Sequence, residues 1–427
     1  MAGANGSYLY ILIGRVLGNP SNTGARCAPP VLQYLHALQD RRRQRVVHAS
    51  PIARLGWRPA EVNTFVTLKY IDPDRLALIP PRHRVQHEFC FYIHDVMVNL
   101  LKEAETHRVS TVQYRFKDNA EAEAFKKRND PISFFIENGQ RDVAMQITLN
   151  QVNLALYADL LHFVHEALKA LEKRKFVVAF ALLRKPLKQS LMFATWMCAD
   201  AQDFFTQLER SPADYMEEKD LPKERRLELL KMAIARLENP DLLDAQTIYD
   251  IVFDKNLKTG LAPLFDKAAH LVTSRGVLVK TEVLNLNFIF KNLGDNDLYD
   301  TVYLRLAYIL IYLMLLQVTL YSRMQGIEKR FSDWILLTSL GAYQSLFVKG
   351  RSPLINSLNK ALAEFLTCPH CRTDLKIKKS YAARFFVTQE LHCQRCNADH
   401  HFPLFWLLSK SQWSFSGKAD ERVQTNH

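Results

Sequence analysis

The sequence predicts a mainly α-helical protein: a multi-helix core domain with a short extended insertion, followed by a small C-terminal β module. Three observations predict it. Between residues 82 and 366 apolar side chains recur at three- and four-residue steps. One stretch, Val277 to Phe290, switches to a two-residue period. Beyond residue 367 the chain carries four cysteines in two Cys-x-x-Cys pairs.

Each part follows in order. Residues 1–81 hold eight of the 17 prolines and end on Pro80-Pro81, so they read as a Pro/Arg-rich region with short strand-like or helical pieces such as Val62 to Tyr70. Residues 82–366 form the helical core domain. Over 147–171, Val152, Leu156, Leu160, Val164, Leu168 and Leu171 line one helix face. Further helices are expected near 187–210, 222–238, 298–325, 329–348 and 353–366. In the insertion, Leu284, Leu286, Phe288 and Phe290 alternate with Asn285, Asn287 and Ile289, the period of an extended segment. Residues 367–408 form the cysteine module, and 409–427 a polar tail.

Composition narrows the function classes. With 48% hydrophobic and 23% charged residues the chain is neither disordered nor fibrous. The net charge of +12 sits at the two ends. Residues 1–60 carry eight arginines against Asp40 alone, residues 351–427 carry eleven basic and six acidic residues, and the rest is neutral. Charge confined in this way points to a polyanionic partner. Unpaired thiols beside a ligand-like set indicate a reducing, cytoplasmic setting. Tyr8 to Ile13 is too short for a secretory h-region and no basic residue precedes it. Between Arg305 and Arg323 lie 17 uncharged residues, at the lower limit for crossing a bilayer. Burial in the protein core is the preferred reading of 303–321, with membrane attachment as the alternative.

Cys368-Pro-His-Cys371 and Cys393-Gln-Arg-Cys396, separated by 21 residues, have the spacing of a tetrahedral zinc site. A two-residue gap lets one tight turn present two thiolates to the same ion. Leu375 to Lys379 and Arg384 to Leu391 read as two strands of a hairpin between the pairs. The segment resembles a zinc ribbon, which implies structural Zn²⁺. Arg372, Lys376, Lys378, Lys379, Arg384 and Arg395 lie among Tyr381, Phe385 and Phe386, a mixture suited to RNA or single-stranded DNA. The same module can equally be structural or bind a protein.

Other constellations are weaker. His83, His87, Cys90 and His94 fall on one helix stripe, too long for one ion to use all four, and read as a polar face around a buried thiol. Arg41-Arg-Arg-Gln-Arg45 can be a phosphate-contacting arm or a solvated end. Ala179 to Trp196, with the preceding helix that holds His162 and His165, resembles bacterial abortive-infection and HEPN-like helical proteins. That resemblance implies a ribonuclease, or a role in defence against phage. Its Arg-x4–6-His signature is missing after Arg184, and the Arg43–His48 match lies in the arginine run. No P-loop, dinucleotide turn, nucleophile elbow or metalloprotease helix is present, and 14 glycines leave little for phosphate-cradling loops. Ribonuclease is the one enzyme class the sequence suggests.

Overall fold

Helix starts follow local capping chemistry. α1 (Pro81–Thr106) opens with proline at its first position, where a missing N–H costs nothing. α2 (Asn119–Lys126) and α3 (Pro131–Glu137) begin behind Asp118 and Asp130, whose carboxylates accept from the N–H groups of Glu121 and Ile132. α4 (Arg141–Glu172) is the longest helix described. α5 (Phe176–Lys185) passes through a π turn, Pro186–Ser190, into α6 (Leu191–Ala199), the proline lacking the N–H that a regular helix needs. α7 (Ala201–Arg210), α8 (Lys223–Ile234), α9 (Ala245–Val252) and α10 (Ala262–Ala269) follow. α11 (Asp297–Met324), α12 (Lys329–Phe347) and α13 (Pro353–Ala361) complete the helical part, the last capped by Ser352. The C-terminal module adds α14 (Lys379–Thr388) and α15 (Leu404–Lys410). Two short antiparallel pairs are present: β1 (Leu9–Tyr10) with β2 (Gln113–Tyr114), and β3 (Glu390–His392) with β4 (Asp399–His401). This computed structural model describes residues 9–10, 67–128, 130–210, 216, 221–238, 240–272, 280–284, 286–288, 296–324 and 328–410.

α11 is the axis of the fold. Among the described residues it is the one helix long and apolar enough to cross a membrane, and 83% of its most hydropathic 18-residue window is buried inside the protein. α1, α4, α6 and α12 surround it. Several of its polar groups are met by these neighbours. Tyr299 donates to the Leu171 carbonyl at 2.7 Å, Gln317 to the Met97 carbonyl at 3.0 Å, and the Leu313 carbonyl accepts from Tyr157 at 2.9 Å. Tyr312 lies 2.9 Å from the Thr195 hydroxyl. A helix apolar all round is thus matched by protein on every side. The helices expected from periodicity are all present.

The chain before α1 is fastened to the bundle. The buried Glu88 carboxylate accepts from the backbone N–H groups of Leu68, Tyr70 and Ile71, at 2.9, 3.0 and 3.4 Å. Arg75 reaches Glu172 on α4 through both Nε and Nη2. In the insertion, residues 280–284 and 286–288 form neither helix nor strand, and Leu284, Leu286 and Phe288 are exposed. The arginine run and the Arg43–His48 pair lie outside the described residues.

The module departs from the expected hairpin. Residues 384–388 belong to helix α14, and strand begins only at Glu390. Ala382, Phe385 and Phe386 follow helical spacing and bury against α12, which outweighs the β-propensity of Phe-Phe-Val-Thr. Gln389, left-handed at φ 59°, ends the helix. Leu375–Lys378 joins no strand and Lys379 already opens α14; Ile377 instead pairs with the Asn359 side chain, donating at 2.8 Å and accepting at 2.9 Å. One hydrophobic core runs unbroken from α1 through α12 to Cys368, Ile377, Phe385, Phe386 and Cys393.

Candidate metal centre

The two cysteine pairs are folded into the same local shape. In the first, Cys368 N–H donates to the Thr373 carbonyl and Arg372 N–H to the Cys368 carbonyl, both at 2.9 Å. In the second, Cys393 N–H donates to the Ala398 carbonyl and Asn397 N–H to the Cys393 carbonyl, again at 2.9 Å. The residue after each pair is left-handed, Arg372 at φ 57° and Asn397 at φ 58°. Such a turn aims both thiols of a pair to one side. The Thr367–Asp374 bridge flanks the first turn, and β3–β4 flanks the second.

The turns face each other. Cys368 Sγ is 3.6 Å from Cys396 Sγ, Cys371 Sγ is 3.6 Å from Cys393 Sγ, and all four sulfurs lie within 4.8 Å of one another. A tetrahedral ion with metal–sulfur bonds of about 2.3 Å sets its sulfurs about 3.8 Å apart. The donor set therefore fits one metal ion, and the contacts are too long for disulfides. Among the described residues this is the only group of three or more cysteine, histidine or carboxylate side chains so placed. Cys368 and Cys393 are fully buried, while Cys371 and Cys396 reach the surface.

Electrostatics prepares part of the set. Hydrogen bonding from Thr373, by its hydroxyl and then its backbone, pulls Cys371 down to about 6. Cys393 is also lowered, chiefly by the backbone N–H of Cys396. Desolvation of its sulfur within the thiol cluster, together with hydrogen bonds to the other three cysteines, pushes Cys396 up to about 12, so an incoming cation must displace its proton. His400, which no sequence motif marks, places Nε2 3.1 Å from Cys368 Sγ. With a proton on that nitrogen it donates to the sulfur and offsets thiolate charge. Its position on β4, opposite Leu391, is a tertiary fact with no signature in the cysteine spacing.

The six basic residues divide. Lys379 donates to the carbonyls of Val348 and, at 2.6 Å, Gly350, closing the end of α12. Arg384 binds Glu390 at 2.8 Å and Asp399 at 3.1 Å. Asp399 also meets His392 and Lys69, linking the module to the segment before α1. Arg372 is exposed on the first turn. Lys376, Lys378 and Arg395 line one groove of about 360 Å³ together with Tyr381, Gln394 and Asp374. Lys378 is 3.1 Å from the Gln394 amide oxygen and Arg395 is 3.3 Å from the Thr373 hydroxyl, both neutral partners. Phe385 and Phe386 are buried against the core and present no face to a ligand.

The histidine stripe on α1 is dispersed among separate partners. His83 faces Asp300 at 3.0 Å, and His87 lies between Glu172 at 3.3 Å and the Tyr303 hydroxyl at 2.8 Å. Cys90 is buried with its thiol pushed upward by desolvation, and His94 binds Asp95 at 2.8 Å. Arg184 lies on α5, and His162 and His165 on α4. No family model, no curated protein and no solved structure matches this chain.

Proposed function

We propose that this is a cytoplasmic zinc protein whose C-terminal module associates with nucleic acid, the helical bundle serving as its scaffold. Zn²⁺ suits four thiolates in tetrahedral array better than the harder divalent cations, which prefer oxygen. When bound, it supplies a rigid, four-fold cross-link and no open position for chemistry. The protein's own residues do the rest: the two matched turns orient the sulfurs, and the buried Cys368 and Cys393 tie the set to the core.

The observation that carries the nucleic-acid reading is the groove lined by Lys376, Lys378 and Arg395, none of which has an ion-pair partner among the described residues, with Asp374 the one carboxylate in the lining. Cations held close together and left unneutralised favour an anionic ligand. Arg395 belongs to the second cysteine turn and Lys376 follows the first, so the metal fixes their separation.

The test is fluorescence anisotropy of the full chain with labelled 12-nucleotide RNA and DNA, single-stranded and duplex, across a salt series. Affinity should fall with salt, and the Lys376→Ala, Lys378→Ala, Arg395→Ala triple variant should flatten the slope by about two units, near 0.7 per lost single-strand phosphate contact. A salt-independent affinity, or wild-type binding by the triple variant, removes the reading in favour of a protein partner or a purely structural module.

A further inference from the structure

An unpaired base and a base pair present different surfaces to a protein. The flat face of a base is hidden inside a duplex and open in a single strand, so an aromatic ring on a binding surface selects between them. The groove beside the metal centre has such a ring. Tyr381 is half-buried in the first turn of α14, packs against the core and lines the groove. Lys376, Lys378 and Arg395 share the lining. The Gln394 side chain adds an amide with donors and an acceptor. At about 360 Å³ the space lies near the lower end of small-ligand pockets, roughly 300–1,000 Å³. That volume is on the scale of a single nucleotide.

We propose that this groove is a single-nucleotide subsite: Tyr381 stacks on one unpaired base of a strand, and Lys376, Lys378 and Arg395 hold the flanking phosphates. This rests on the nucleic-acid reading above and adds its strand preference. Asp374 also lines the groove and repels a phosphate at its own position, so the phosphates lie nearer the three cations. Gln394 lies against the base edge and can satisfy either a donor or an acceptor there. The subsite therefore tolerates different bases and rejects paired ones.

The experiment compares Tyr381→Phe and Tyr381→Leu with wild type, using labelled eight-nucleotide single strands of RNA and DNA and a twelve-base-pair duplex at fixed salt. Tyr381→Leu keeps an apolar side chain and loses the π face, and bound zinc and the melting temperature report that the module is intact. The expected result is single-strand binding within about two-fold of wild type for Tyr381→Phe. Tyr381→Leu should weaken it about 5- to 150-fold, the range for one lost base stack. Duplex should bind more weakly than single strand to wild type and be unaffected by Tyr381→Leu. Equal binding of duplex and single strand, or wild-type affinity in an intact Tyr381→Leu, overturns the subsite while the salt-dependent association stands. If wild type binds no strand at any salt, both readings fall together.

Discussion

Phe386 of α14 lies against Gly341 of α12 so closely that a Cβ built on that glycine would stand 2.6 Å from the phenyl ring. Phe386 is buried, so its ring has no free space to retreat into. The glycine is not required by backbone conformation, since it sits in regular helix. It is required by the approach of the metal-bearing module to the bundle. Gly341→Ala should gain about 1 kcal/mol in helix propensity and lose about 1–3 kcal/mol to overpacking, leaving a destabilised protein by chemical denaturation. In a Phe386→Leu background the same change should become neutral or stabilising. An unchanged effect in the two backgrounds would mean that the contact does not couple module and bundle.

Metal should bind at one equivalent per chain, and Cys393→Ser should abolish it. Isolated zinc modules gain about 10–16 kcal/mol from the ion, comparable with the whole stability of a domain at about 5–15 kcal/mol. Loss should therefore unfold residues 367–408. Because Phe385 and Phe386 share the core with α12, hydrogen exchange in residues 329–347 should rise as well. Metal analysis that finds no zinc in protein purified under reducing conditions would refute the assignment. Unaltered exchange in α12 would show the module to be independent.

Leu310 is fully buried at the centre of α11. Leu310→Asp places an unpaired charge among apolar neighbours and should cost about 3–5 kcal/mol, read as loss of soluble folded protein. Leu310→Met, close to isosteric, should cost less than about 1.5 kcal/mol. Recovery of wild type only from detergent-solubilised membranes would place this helix in lipid instead.

Acidification should weaken the fold through the His87–Glu172 pair. Burial holds His87 below its ordinary range despite Glu172, so the folded protein keeps it neutral while the unfolded chain takes up a proton below about pH 6.5. Burial alone would raise Glu172, but hydrogen bonds from His87 and Arg75 and the charge of Arg75 outweigh it and keep its pKa low. Both groups bind fewer protons folded than unfolded, so both contribute stability that is lost as pH falls. The loss begins near pH 6.5 for His87 and continues through the carboxylate range for Glu172. His87→Gln should reduce the slope of stability against pH between about 6.5 and 5. Metal release also follows acidification, but it is common to both proteins and cancels in the comparison. Parallel wild-type and variant curves would exclude His87 as a source.

Much of the fold was legible because its signals are local. The helices declare themselves by apolar spacing, and several starts by Asp118, Asp130, Asp244 and Ser352 at cap positions. The expected hairpin at 375–391 failed where two signals competed. Phe385-Phe386-Val387 favours a strand by composition, while Ala382, Phe385 and Phe386 mark a helix face. The notch at Gly341, more than 40 residues earlier in the chain, decided for the helix.

The helical class and the four-cysteine set were readable from the chain alone, because periodicity and Cys-x-x-Cys spacing are properties of neighbouring residues, whereas 303–321 was open between core and bilayer until its neighbours were seen. Which cations are taken up by ion pairs and carbonyls became visible with the packing of distant segments. Lys379 is taken by carbonyls at the end of α12, and Arg384 by Glu390 and Asp399, while Lys376, Lys378 and Arg395 converge on one groove. A charge's availability depends on what folds against it, and those partners are set by long-range packing that no local pattern encodes.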